Sequence, residues 1–124
     1  MIIADTPKFK MAVYEDKKEA HVQVIGFLNE EVVEHYVECL HELVKNCTPS
    51  QYALVVDATR QSPVPRRVAA EIGDTMMIYG TFGYKDIAVI KPTSKIAMVQ
   101  IRNGLAPKNF PGKLYDSVEQ FRRR

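Results

Sequence analysis

The chain has little of what would place it in a special class. It holds two cysteines in 124 residues, too few for a disulfide scaffold. Seventeen basic side chains against fifteen acidic ones leave a net charge of +2, too small to argue for a nucleic-acid partner. Met1-Ile2-Ile3-Ala4-Asp5 reaches an acid at once, without the basic start and long apolar stretch of a signal peptide. The longest uninterrupted apolar run is Tyr52–Val56, far short of the roughly 20 residues that a spanning helix needs. Gly73, Gly80 and Gly83 have the wrong spacing for a phosphate-cradling loop. There is no repeat, low-complexity tract or linker. These absences predict a cytoplasmic protein of one domain, residues 1–124, with no membrane insertion, no nucleic acid and no cofactor.

What is present is hydrophobic patterning. Over Lys8–Tyr14, Phe9, Met11 and Val13 alternate with Lys8, Lys10 and Tyr14. Over Ala20–Ile25, Ala20, Val22 and Val24 alternate with His21 and Gln23, and Glu15–Glu19 lies between as a polar turn. This predicts a β-hairpin with one core face and one solvated face. Asn29 suits an N-cap with Glu30 and Glu31 in the first turn, and Val33, Tyr36, Val37, Leu40, Leu43, Val44 and Cys47 keep helical spacing. Cys39 and Cys47 share that helix; eight residues at about 1.5 Å each put them roughly 12 Å apart, beyond disulfide reach. Free thiols fit a reducing compartment.

Tyr52–Asp57 and Ile87–Ile90 are unalternating apolar runs, the mark of parallel strands buried on both faces. Between them a helix over Val64–Tyr79 is expected, with Val68, Ala69, Ile72, Met76 and Tyr79 inward. A further helix runs from Ser94 to Asn103, stopped by Gly104. A short edge strand is expected near Asn109-Phe110, and a closing helix over Asp116–Arg124, capped by Asp116 or Ser117, with Val118 and Phe121 inward. The tail Arg122–Arg124 reads as a frayed, solvated end.

The order is thus β-β-α-β-α-β-α-(β)-α. With the hairpin Phe9–Ile25, the strand ALVVDAT at Ala53–Thr59, the strand DIAVI at Asp86–Ile90 and the closing YDSVEQF at Tyr115–Phe121, the chain resembles the SpoIIAA-like, or STAS-like, domain family. That is the fold of bacterial anti-sigma-factor antagonists. The resemblance implies an α/β domain with a mixed sheet of four to five strands, an antiparallel N-terminal hairpin followed by parallel strands, and about four helices. It also implies a non-catalytic regulatory or protein-interaction module. The chain departs from the antagonists in one respect. Where they carry an Asp-Ser-Ser-Gly-type phosphorylation motif, it reads Ala58-Thr59-Arg60-Gln61-Ser62-Pro63.

The candidate site is the segment after the third strand, Asp57, Thr59, Arg60, Ser62, Arg66 and Arg67, with Lys91 at the end of the next parallel strand. Ligands of α/β sheets sit beyond strand carboxyl ends, and a helix N-terminus offers free N–H groups. Arg66 and Arg67 there would set positive charge on a positive dipole, at about a few tenths of a kcal/mol each, unless a phosphate or an acidic partner answers them. The plainer reading makes Ser62 an N-cap, pairs Arg67 with Glu71, and has Asp57 cap backbone N–H groups of the loop. Asp57 and Lys91 do not make a phospho-receiver site, because the acidic pair that holds its Mg²⁺ is missing. His35 and Cys39 lie one helical turn apart, but His41 points about 120° away from His35, so no metal site is expected.

A small-ligand binder for a lipid or phosphorylated molecule is the alternative function, since SpoIIAA-like folds are similar to lipid-transfer folds. Met76, Met77, Met98, Phe82 and Tyr79 would line its cavity. An enzyme acting on a phosphorylated substrate through Asp57, Arg60, Arg66 and Lys91 is a further one. A homodimer through the first hairpin strand or the helix faces is also expected, with Lys8, Lys10, His21 and Gln23 on the exposed hairpin face.

Overall fold

The computed structural model describes residues 1–124. The alternating segments form β2 (Phe9–Tyr14) and β3 (Glu19–Val24), paired antiparallel with Met11 opposite Val22. The continuous apolar runs form β4 (Ala53–Asp57) and β5 (Asp86–Ile90), which join parallel to β3 and to each other. Both are buried over most of their length, as an unalternating run requires.

Two further strands complete a six-stranded sheet of order β1-β2-β3-β4-β5-β6. β1 (Ile2–Asp5) pairs antiparallel with β2, and β6 (Lys113–Tyr115) pairs parallel with β5. The sheet therefore carries one strand more than expected. Ile2-Ile3-Ala4 shows no alternation to betray β1. Its return is made by Thr6, whose hydroxyl accepts from the Phe9 N–H at 3.0 Å and donates to the Phe9 carbonyl at 2.9 Å. Because β1 covers β2, the hairpin's first strand is not the free edge that strand-to-strand dimerisation would need. The last strand lies at Lys113–Tyr115 rather than Asn109-Phe110; Pro111, which has no N–H to give a ladder, packs instead against Gly80.

The helices are α1 (Glu30–Lys45), α2 (Arg66–Ala69), α3 (Ile72–Met77), α4 (Lys95–Leu105) and α5 (Val118–Arg122). Asn29, Ser94 and Ser117 cap α1, α4 and α5 by accepting from the N–H of Val32, Ala97 and Gln120. The single helix expected over Val64–Tyr79 is instead three pieces: α2, α3 and a 3-10 turn over Ile78–Phe82. Pro63 and Pro65 remove donors at its start, and Pro65, not Ser62, stands at the cap position. At the break, the Glu71 N–H reaches back three residues, to the Val68 carbonyl. α3 is then held by a contact that no periodicity reveals. A Cβ on Gly73 would lie 2.0 Å from the Gly104 carbonyl oxygen, so α3 and α4 meet backbone to backbone. Gly104, expected to stop α4, lies inside it instead.

The sheet has two unlike faces. On one, Phe9, Met11, Val22, Leu54, Val56 and Val89 form the main core with Tyr36, Leu40 and Leu43 of α1, Met76 of α3 and Ile101 of α4. On the other, Val55, Ala88 and Ile90 form a smaller cluster with Phe121 of α5, against which Ala53, Tyr115 and Val118 pack half-buried.

Candidate functional site

The carboxyl ends of β3 and β4 open onto loops rather than onto further strand, the place where α/β sheets take ligands. Here α1 stands across from α2 and α3, leaving a cleft of about 810 Å³. Its floor is buried and mostly apolar: Val24 and Val56 from the strands, Ala58 from the loop, Met76 from α3, and the rings of Tyr36 and Tyr79. Phe27, Leu28 and Val33 line the α1 side, and Val64, Val68 and Ile72 the other. Charge is confined to exposed rim positions: Glu30 and Glu31 at the start of α1, Arg67 and Glu71 opposite.

Local backbone chemistry preforms the cleft. Gly26, left-handed at φ 75°, donates its N–H to the Arg60 carbonyl at 3.0 Å and accepts from the Ser62 N–H at 2.9 Å. This ties the end of β3 to the loop after β4. Gln100 of α4 clamps that loop from the other side. Its amide oxygen accepts from the Val64 N–H, and its amide nitrogen donates to the Val64 carbonyl, each at 3.0 Å. Of the residues that line the floor, Tyr36 and Tyr79 are hydrogen-bonded to each other through their hydroxyls. Burial raises both above the usual tyrosine range, Tyr79 to about 12, so both are neutral donors at ordinary pH.

Of the seven residues singled out from the sequence, Asp57 and Thr59 meet each other and the rest are dispersed. Asp57 Oδ1 accepts from the Thr59 N–H at 2.9 Å and the Thr59 hydroxyl at 2.6 Å, while Oδ2 accepts from the Gln23 amide at 3.2 Å. It locks the loop, as the plainer reading had it. The Thr59 carbonyl is taken by the Thr93 hydroxyl at 3.1 Å, and Lys91 pairs with Asp116 at 3.1 Å. Arg60 borders a small polar hollow with Asp5, Thr6 and Lys10. Arg66 is exposed at the start of α2, and Ser62 is held through its backbone. Of the seven, only Arg67 reaches the cleft, and it forms no ion pair with Glu71. A helix of four residues has little dipole to offer an anion.

Of the side chains expected around a cavity, Met76 and Tyr79 line the cleft. Met98 and Phe82 pack against the main core instead. His35 packs edge-on to Phe9 and His41 to Phe82, so the two imidazoles face different neighbours. Cys39 and Cys47 are free thiols whose pKa burial pushes up, which makes them poor nucleophiles.

Sequence reasoning missed one polar cluster altogether. Glu19, read as part of a turn, is the buried first residue of β3, only 5% exposed. Arg122 grips it with Nε at 3.0 Å and Nη2 at 2.7 Å, and His21 Nε2 lies 2.8 Å from the same carboxylate. Arg124 reaches Asp86 at 2.8 Å. The tail is therefore anchored, not frayed, at both of these arginines.

No family model matches the chain, and no curated protein matches it. Among solved structures, it is similar to an uncharacterized protein of the DUF3478 family with a SpoIIAA-like fold from Shewanella loihica PV-4. The two superpose with a TM-score of 0.62, covering 97% of this chain and 96% of the other. The fold is SpoIIAA-like. Sequence identity is 11%, so the likeness carries the fold and nothing of the function. No helix is long and apolar enough to cross a membrane.

Proposed function

We propose that the protein is a non-catalytic binding module that takes a small apolar molecule into the cleft between α1 and α3. One observation carries this reading: a preformed hollow of about 810 Å³ whose floor is mostly apolar, within the range of about 300–1,000 Å³ typical of ligand sites. Phe27, 42% exposed at its mouth, adds apolar surface that nothing in the chain covers. The carboxylates stay at exposed rim positions, and the Thr75 hydroxyl beside Glu71 is taken by a backbone carbonyl at 3.1 Å, which favours binding over turnover.

The test is titration with Nile red, a neutral dye that brightens in apolar surroundings, against the wild type and a Val68→Trp variant. Val68 is half-buried on the cleft wall, so the indole fills the hollow without disturbing the core. Saturable binding to the wild type, weakened at least about tenfold in the variant, supports the reading. Equal binding to both, or none to either, rejects it.

A protein-interaction role draws on a smaller observation. Ile96 and Val99, 64% and 51% exposed, lie one turn apart on α4. Retention of one host protein by the wild type, and its loss from an Ile96→Glu/Val99→Glu variant, would favour that role over the cleft.

A further inference from the structure

We infer that the cleft selects a neutral amphiphile by an acceptor oxygen, an ester or ketone carbonyl on an apolar chain, received by the Tyr36–Tyr79 hydroxyl pair. The inference rests on the cleft reading and specifies its ligand. Two hydroxyls carry two donor hydrogens. One is spent between Tyr36 and Tyr79. No other protein group is hydrogen-bonded to either hydroxyl, so the second hydrogen has no acceptor in the chain. The two residues are 3% and 5% exposed, and both line the cleft. A buried donor without a partner is costly, and a guest that brings an oxygen to it removes that cost.

The surrounding charge decides which oxygen. A carboxylate would be the stronger acceptor, but no cation lies on the floor to meet it. Burying an unpaired anion is far more costly than burying a carbonyl. Arg67 is on the rim, where Glu30, Glu31 and Glu71 outnumber it. The positive end of α1 is likewise answered already, by the Asn29 side chain and by Glu30 and Glu31 in its first turn. A fatty-acid anion is therefore disfavoured at the floor and at the rim alike. A cationic amphiphile can enter tail first, with its head at the rim, but makes no use of the hydroxyl pair.

Three probes with the same ten-carbon chain separate these cases by displacement of Nile red: methyl decanoate, decanoate and decyltrimethylammonium, each below its aggregation threshold. Methyl decanoate should displace the dye at concentrations at least about tenfold lower than decanoate. In Tyr36→Phe/Tyr79→Phe, which keeps both rings and loses both hydroxyls, methyl decanoate should weaken about tenfold while decyltrimethylammonium is unchanged. Either single Phe variant leaves one hydroxyl with its hydrogen free. It should hold methyl decanoate within about threefold of wild type. An infrared spectrum of methyl decanoate labelled with ¹³C at its carbonyl gives a readout that needs no variant. The stretch should fall to lower frequency on binding, as in a hydrogen-bonded ester. Decanoate binding as tightly as the ester, a double variant with undiminished ester affinity, or an unshifted carbonyl stretch would each overturn the inference while leaving the cleft reading intact. Failure of wild type to bind Nile red removes the cleft reading itself.

Discussion

The two faces of the sheet are closed by different physics. The α1 face has apolar material to spare: a core running from Phe9 to Ile101, and beside it a cleft lined largely by apolar side chains. The α5 face fully buries only Val55, Ala88, Ile90 and Phe121, with Ala53, Tyr115 and Val118 half-buried around them. There the short helix is held by charge. Arg122 forks onto Glu19, and Arg124 spans Asp86 while its guanidinium lies 4.1 Å from the centre of the Phe121 ring. Burial is non-directional, so a face rich in apolar residues can spare surface for a guest and still cohere. A five-residue helix cannot hold itself in water, and one aromatic side chain needs directed contacts beside it.

Four variants sharpen that contrast. The largest effect is expected from Gly73→Ala. The new methyl meets the backbone of Gly104, which cannot turn aside as a side chain could. Chemical denaturation should show a loss of at least about 3 kcal/mol. Nile red binding should fall with it, because Ile72 and Met76 line the cleft from the same helix. A loss below about 1 kcal/mol would mean that α3 and α4 do not cross this closely.

Arg122→Ala acts on the other face. It strands a buried carboxylate, but Arg122 is itself partly solvated, so about 2 kcal/mol is expected at pH 7, with dye binding unaltered. The loss should depend on pH. The hydrogen bond from Arg122 is the largest cause holding the Glu19 carboxyl below its ordinary value of 4.5 in the folded chain. The unfolded chain therefore takes up this proton first as pH falls. The clamp contributes fully above about pH 4.5 and is lost as pH drops through the lower folded value. Wild type and variant should converge in acid. A stability gap that stays constant from pH 7 down to pH 3 would sink this account.

Arg124→Ala removes a half-exposed ion pair and a ring contact, and about 1 kcal/mol is expected by the same denaturation. The smallest effect is none at all. Tyr36→Phe/Tyr79→Phe should leave the 295 nm absorbance at pH 10.5 unchanged, since burial keeps both phenols un-ionised there. A drop in that absorbance would show that water reaches the floor of the cleft.

Legibility in the sequence followed the range of the cause. The hairpin, α1 with its Asn29 cap and the two central parallel strands were readable because alternation, capping and unbroken apolar runs act between near neighbours. Val64–Tyr79 was readable as apolar at helical spacing, yet spacing does not say whether the backbone bonds run on without a break. Asp57 was readable as a loop cap, and Thr59 two residues on is its partner. The cleft was legible only in Met76, Tyr79 and Arg67, because a methionine or tyrosine that faces a hollow has the same pattern as one that faces a core.

By itself, then, the sequence determined which strands alternate and which are buried on both faces, where α1, α4 and α5 begin, and through these the SpoIIAA-like fold. The tertiary structure alone decided the backbone contact of Gly73 with Gly104, the pairing of Glu19 with Arg122 across 103 residues, and the hollow with its two hydroxyls. Alternation and capping are set by residues two to four positions apart, and a linear pattern records them. A cleft is made by side chains that fail to touch, and a long-range clamp by the closing of the chain upon itself, so neither leaves a local trace.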